Sequence, residues 1–219
     1  FAPQRAAVTG GFDRSVSTFA LSPDSKTLYL LAEEAGHEKL FSVAAAGGEV
    51  RPAMEMTSGV YTNLAVPERA PSALVFANWE SAVSPAEVVR IEPAGSRHVA
   101  LTDFNAERAA SFDWQPLRHF WFSSKRGKKI HSMLALPAAF DESRKYPLLV
   151  LLHGGPHSMW RDQFFLRWNY HLLAQPPSGA GYAVLLTDYT GSTGYGEKFA
   201  QEIQGDPFAG PAGEINEAA

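Results

Sequence analysis

Cysteine is absent from the 219 residues, which rules out disulfides and a thiolate nucleophile and leaves the cellular compartment open between periplasmic or secreted and cytoplasmic. No apolar run approaches the ~20 residues that a membrane helix needs. Positive charge is not in excess: 19 Lys and Arg stand against 23 Asp and Glu, a net charge of −4. That balance argues against a polyanion partner, because nucleic-acid binders carry a basic face. The one basic cluster, Lys125-Arg126-Gly127-Lys128-Lys129, falls where a hairpin should turn and reads as a solvated turn. His157 and His171 lack the spacing of an HExxH pair, so no metal site is expected. Gly191, Gly194 and Gly196 do not follow Walker or dinucleotide spacing, and no Gly-Lys-Ser/Thr follows them, so no nucleotide or other cofactor is expected. A nucleophile elbow of the form Gly-x-Ser-x-Gly occurs nowhere. The first residues, from Phe1, are neither an initiator methionine nor a signal peptide, and the chain reads as beginning inside something longer.

What is present is 45% hydrophobic composition, enough for a substantial core in one or two domains. Residues 15–54 read as short alternating strands between turns: 16–21, a Ser22-Pro23-Asp24 turn, 27–32, 39–43, and a Gly47-Gly48 turn. A looser copy begins near Tyr61, in which 63–66, 73–76 and 88–91 match 18–21, 27–30 and 40–43. A period of about 45 residues is that of propeller blades. A single antiparallel sandwich is the alternative. Two blades cannot close a ring, since propellers need about four to eight. The expected consequence is an open side on which apolar residues such as Phe19 and Leu30 lack neighbours.

Residues 109–116 read as a passage between domains. A hairpin of 119–124 and 129–137, turning at Arg126-Gly127, should form an antiparallel sheet edge. Residues 146–157 (YPLLVLLHGGPH) then place an apolar run, suited to a strand buried in a parallel sheet, directly before a loop almost free of side chains. Ligands bind beyond the carboxyl ends of such strands. Taken alone, the glycine pair reads better as an ordinary turn. Residues 162–175 read as a helix with Phe165, Trp168 and Leu172 on one face, Trp168 as core, and Pro176 to Gly181 as its stop. A second buried strand, 182–188, leads through 191–196 into a helix bearing Phe199 and Ile203, and 214–219 reads as the start of another helix. His37, His98, His119 and His131 read as surface or packing residues; Arg167 and Asn169 read as structural caps or pairs.

The motifs HGGPHSMW (153–160), RWN (167–169) and GSTGYG (191–196), in this order, resemble the start of the peptidase domain in the prolyl oligopeptidase family, in its acylaminoacyl-peptidase and dipeptidyl peptidase V branch. The resemblance implies a fold that is α/β plus all-β: residues 1–115 a partial β-propeller of about two blades, and 116–219 the first half of an α/β-hydrolase sheet, truncated before the nucleophile elbow. It implies a serine peptidase that releases dipeptidyl or acylaminoacyl groups from short peptides, with the Ser-His-Asp triad outside this chain. Gly155 would supply an oxyanion-hole backbone N–H, with His153 and Gly154 supporting the loop. The implied partners are a short peptide substrate and the remaining part of the same enzyme, with a homo-oligomer left open and neither nucleic acid nor membrane expected. The segment 176–180 (PPSGA) departs from the family pattern. Two further readings stay open: an esterase or lipase with an accessory β domain, and a non-catalytic propeller interaction module.

Overall fold

The computed structural model describes residues 6–92, 97–175 and 181–219. Its first half holds two antiparallel four-stranded sheets. The first runs β1 (Val16–Leu21), β2 (Thr27–Glu34), β3 (His37–Ala44), β4 (Arg51–Pro52), and the second β5 (Val60–Ala65), β6 (Val75–Ser81), β7 (Ser84–Glu92), β8 (Arg97–Ala100), each in simple up-and-down order. The Ser-Pro-Asp turn forms for a local reason. The Ser22 hydroxyl accepts from the Thr27 N–H at 2.9 Å and donates to Asp24 Oδ1 at 2.6 Å, closing the β1–β2 hairpin. The two sheets share a core of Leu31, Leu40, Met54, Tyr61, Val75, Ala77, Val89 and Ile91. Burying each of the larger aliphatics contributes roughly 2 kcal/mol.

Leu30 is not left without neighbours. It is fully buried with Ala32, Phe41 and Val43, because the segment before β1 folds back and lays Val8 and Phe12 over that face. Phe19, on the edge strand β1, is 69% exposed.

The third sheet is mixed, in the order β11-β12-β10-β9, built from β9 (Arg118–Ser123), β10 (Lys129–Ala135), β11 (Leu148–Leu151) and β12 (Ala183–Asp188). The β9–β10 hairpin turns at Gly127 (φ +74°) and lies at the antiparallel edge, while β11 pairs with β12 in parallel. The passage into this sheet contains a single helical turn, α1 (Ala106–Ala110).

The helix expected over 162–175 is only α2, Tyr170–Ala174. The residues before it spend their amides elsewhere. Asp162 N–H donates to the Gly36 carbonyl at 2.8 Å and Phe164 N–H to Glu80 Oε2 at 3.2 Å, so they are not available to carbonyls four residues back. Trp168 then adopts φ +61°, and Asn169 caps α2 by accepting the Leu172 N–H at 3.0 Å. The apolar face consequently differs from the expected one: Tyr170, His171 and Ala174 are buried, while Trp168 is 62% exposed and Leu172 66% exposed. The Arg167 guanidinium lies over the Trp168 ring at 5.4 Å. The expected stop at 176–180 lies outside the described residues.

The GSTGYG loop leads into α3 (Glu197–Gln201), and the last helix, α4 (Ala209–Ala218), begins five residues earlier than the sequence pattern placed it. Its early start lets Glu214 reach the interior. The 125–129 turn is not simply solvated either, since it docks on these helices. Lys128 pairs with Glu202 at 2.7 Å, and Arg126 with Asp206 and Glu214 at 3.4 Å each.

Candidate functional site

Strand β11 ends at Leu151, and the chain leaves the carboxyl edge of the parallel pair as Leu152, His153, Gly154, Gly155 and Pro156. Gly154 and Gly155 are exposed, whereas His153 is 9% exposed. Gly155 holds φ +136°, and a Cβ there would stand 2.9 Å from the His157 backbone nitrogen, so only glycine fits without strain. Gly154 has open space around it. Among the described residues no carbonyl or side chain accepts the Gly155 N–H, which leaves it available to an oxygen outside the chain.

The loop is held from below by the residues that follow β12. His153 Nε2 is 2.9 Å from Ser192 Oγ, and the Ser192 hydroxyl donates to the Tyr189 carbonyl at 2.7 Å. The Tyr189 hydroxyl donates to the His153 carbonyl at 2.6 Å, and the two rings stack with centroids 4.5 Å apart. Further along, the Thr193 N–H donates to the Ser158 carbonyl at 2.9 Å, and His157 Nδ1 donates to the Gly191 carbonyl at 3.0 Å. HGGPHS and GSTGYG are therefore one zipped unit. Its glycines serve packing: a Cβ on Gly191 (φ +107°) would press on Ile203 Cδ1 at 2.5 Å, and one on Gly194 (φ +82°) would overlap the Met159 sulfur.

Burial drives the electrostatics. It pushes the His153 imidazole below its ordinary range, with the nearby Asp188 carboxylate and the Gly154 carbonyl opposing. Burial likewise raises the Tyr189 hydroxyl and carries Tyr195 well above the usual tyrosine range. His153 therefore sits neutral beneath the loop, able to donate one ring N–H and accept at the other nitrogen.

His153, Gly154 and Gly155 lie in the loop after β11, and the structure packs against that loop groups that the sequence reading passed over: Asp188, Tyr189, Ser192 and Tyr195. The available signal was an aspartate closing an otherwise apolar strand. The histidines read as packing residues also gain definition. His37 and His131 are buried, His119 and His131 approach at 3.1 Å, and the His37 and His119 rings stack with centroids 5.2 Å apart. Among the described residues no group of three or more His, Asp or Glu side chains is arranged to hold a metal ion, and no helix is long and apolar enough to cross a membrane.

An exposed glycine amide after a parallel strand, in a mixed sheet of order β11-β12-β10-β9 beside two four-stranded sheets, defines a propeller-type β module joined to an α/β-hydrolase sheet. No family model matches the chain. It is 32% identical over 176 residues to dipeptidyl-peptidase 5 of Schizosaccharomyces pombe, covering 80% of this chain and 24% of that protein. It is 30% identical over 215 residues to a probable dipeptidyl-peptidase 5 of Aspergillus clavatus, covering 95% and 28%. In fold it is similar to the acylaminoacyl peptidase of Pyrococcus horikoshii, with a TM-score of 0.76 at 22% identity over 96% of this chain and 31% of that one. The resemblance to the prolyl oligopeptidase family is thereby borne out, and the chain spans about a quarter of the length of the curated relatives it matches, 24% and 28% in these two cases.

Proposed function

We propose that this chain is the part of a serine peptidase that carries one half of the oxyanion hole, in an enzyme that releases dipeptidyl or acylaminoacyl groups from short peptides. On this reading residues 1–115 are late propeller blades, 116–219 open the hydrolase domain, and the Ser-His-Asp triad lies in sequence beyond the 219 residues. The serine oxygen attacks the scissile carbonyl carbon while the histidine takes its proton. The carbonyl oxygen becomes an oxyanion held by the Gly155 N–H and by the N–H following the nucleophile. Collapse expels the amine, which takes the proton from the histidine, and water then cleaves the acyl-enzyme. His153 and Gly154 shape the loop without touching the reacting atoms.

The observation that carries the reading is the amide of the exposed Gly155, unclaimed among the described residues, in the loop beyond the carboxyl end of β11, in a chain whose relatives are peptidases. Losing one such donor costs about 3 kcal/mol of transition-state stabilisation. The test is an assay of the purified 219-residue chain on chromogenic dipeptidyl and acylaminoacyl substrates. No turnover is expected; turnover by homogeneous material would place a nucleophile inside the chain and overturn the reading. In the longer peptidase, Gly155→Ala keeps the N–H but does not hold φ +136° without strain, so it should turn the amide out of place and lower kcat by up to about 100-fold, with folding monitored in parallel.

A further inference from the structure

Asp188 closes β12 with 1% of its surface exposed, directly beneath the His153–Gly155 loop. Its two oxygens face opposite ways. Oδ1 accepts the Trp160 N–H at 2.8 Å and lies 3.6 Å from His153 Nε2; Oδ2 accepts the Tyr195 hydroxyl at 2.5 Å and lies 3.6 Å from His131 Nδ1. Among the described residues no lysine or arginine pairs with it. A buried carboxylate held only by hydrogen-bond donors dictates where the protons around it sit.

The proton positions follow by elimination. Tyr195 gives its proton to Asp188, so at 2.7 Å the Tyr195 oxygen must accept from His131, which is then Nδ1–H. His131 Nε2 faces His119 Nδ1 at 3.1 Å. On the other side, Ser192 gives its proton to the Tyr189 carbonyl, so it must accept from His153, which is then Nε2–H. The Tyr189 proton goes to the His153 carbonyl, and Nδ1 of His153 lies 3.4 Å from the Gly154 carbonyl and 3.4 Å from the Tyr189 hydroxyl. The chain from His131 through Tyr195 ends on the Asp188 carboxylate, and the chain from His153 through Ser192 ends on the Tyr189 carbonyl.

We propose that Asp188 is the positioning residue of the His153–Gly155 loop: its carboxylate anchors the far end of the loop at Trp160 and, through the Tyr195 hydroxyl, sets the Nδ1–H of His131. The inference rests on the reading of that loop as an oxyanion loop, but it concerns ring tautomers and an amide rather than turnover. A peptide or ester substrate would meet only Gly155. Asp188 acts from beneath, through the Trp160 amide.

The test is nitrogen-15 NMR of the histidine rings and backbone amides in the 219-residue chain at pH 7.5. Wild type should show His153 protonated at Nε2 and His131 at Nδ1. In Asp188→Asn the amide NH2 faces Tyr195, the Tyr195 hydroxyl loses its acceptor, and the chain reverses. His131 should switch to Nε2–H, and the Gly154 and Gly155 amide signals should move or split. Tyr195→Phe, which frees Oδ2 but leaves the Trp160 anchor, should displace the same signals less, and it carries the test alone if Asp188→Asn does not fold. Wild-type rings in the opposite tautomers, or Gly154 and Gly155 amides unmoved in whichever variant folds, would overturn the proposal. Either result leaves the peptidase assay to be judged separately, since absence of turnover in the chain says nothing about these signals.

Discussion

Asp162 reaches the Gly59 amide across 103 residues of chain: its Oδ2 accepts the Gly59 N–H at 2.7 Å while Oδ1 accepts the Ala82 N–H at 2.8 Å. With 6% of its surface exposed, this one carboxylate satisfies two buried amides of the second sheet from the loop after β11. The same loop receives the first sheet. Gly36, at the β2–β3 turn (φ +82°), accepts the Asp162 N–H and lies so close to the hydrolase sheet that a Cβ would meet His131 Cε1 at 2.9 Å. Asp162→Ala should leave two buried donors without partners and destabilise the chain by about 3 kcal/mol. Urea unfolding followed by tryptophan fluorescence measures this, and an unchanged midpoint would show that water replaces the carboxylate.

The two glycines of the His-Gly-Gly-Pro loop should respond differently to a methyl group. Gly154→Ala meets open space and should change the melting temperature little, whereas Gly155→Ala must move a φ of +136° and push against His157. Strain of this kind costs of order 1–3 kcal/mol. Gly191→Ala adds a collision with Ile203 to a φ of +107° and should cost at least as much as Gly155→Ala. Scanning calorimetry of the three variants gives the order directly.

Acid should weaken the fold through its buried histidines. His37 at 7% exposure, His153 at 9% and His171 at 6% are each held below the ordinary histidine value of 6.5, in every case first by burial. A histidine depressed in the folded state binds its proton more readily when unfolded. Their contribution is therefore complete above the unfolded value and is lost as pH falls from about 6.5 towards the depressed folded values. The melting temperature should drop between pH 7 and pH 5, and His37→Gln, which can still donate towards the Gly59 carbonyl, should flatten that drop. A melting temperature that rises on acidification would contradict the burial argument.

Most strands were legible in the sequence because period-two patterning and turn residues act locally: β1 was expected over 16–21 and lies there, and the β9–β10 hairpin turns at Gly127 as the Arg-Gly pair required. The helix expected over 162–175 was not legible, because its fate is decided by acceptors on Gly36 and Glu80, far away in sequence. Leu30 was misjudged for the same kind of reason, since Val8 and Phe12 cover it from outside the strand pattern. At the candidate site the motif located Gly155 but not Asp188. A motif names a loop; its supports are set by which buried donors happen to face one another.

Glu214 tests how far the last helix is tied to the sheet. It is fully buried, accepts the Thr190 N–H and the Thr190 hydroxyl at 2.8 Å each, and meets the Arg126 guanidinium at 3.4 Å. Arg126 is 36% exposed and keeps Asp206, so the loss falls chiefly on the two buried Thr190 donors, and Glu214→Ala should cost about 1–3 kcal/mol. The neighbouring Lys128–Glu202 pair is closer, at 2.7 Å, yet its side chains are 31% and 25% exposed. Solvent screens that pair, and Lys128→Ala should cost under about 1 kcal/mol. Parallel urea titrations of the two variants would separate these cases. Equal losses would mean that α4 is held by charge alone, and that the two short bonds to Thr190 contribute nothing to keeping it in place.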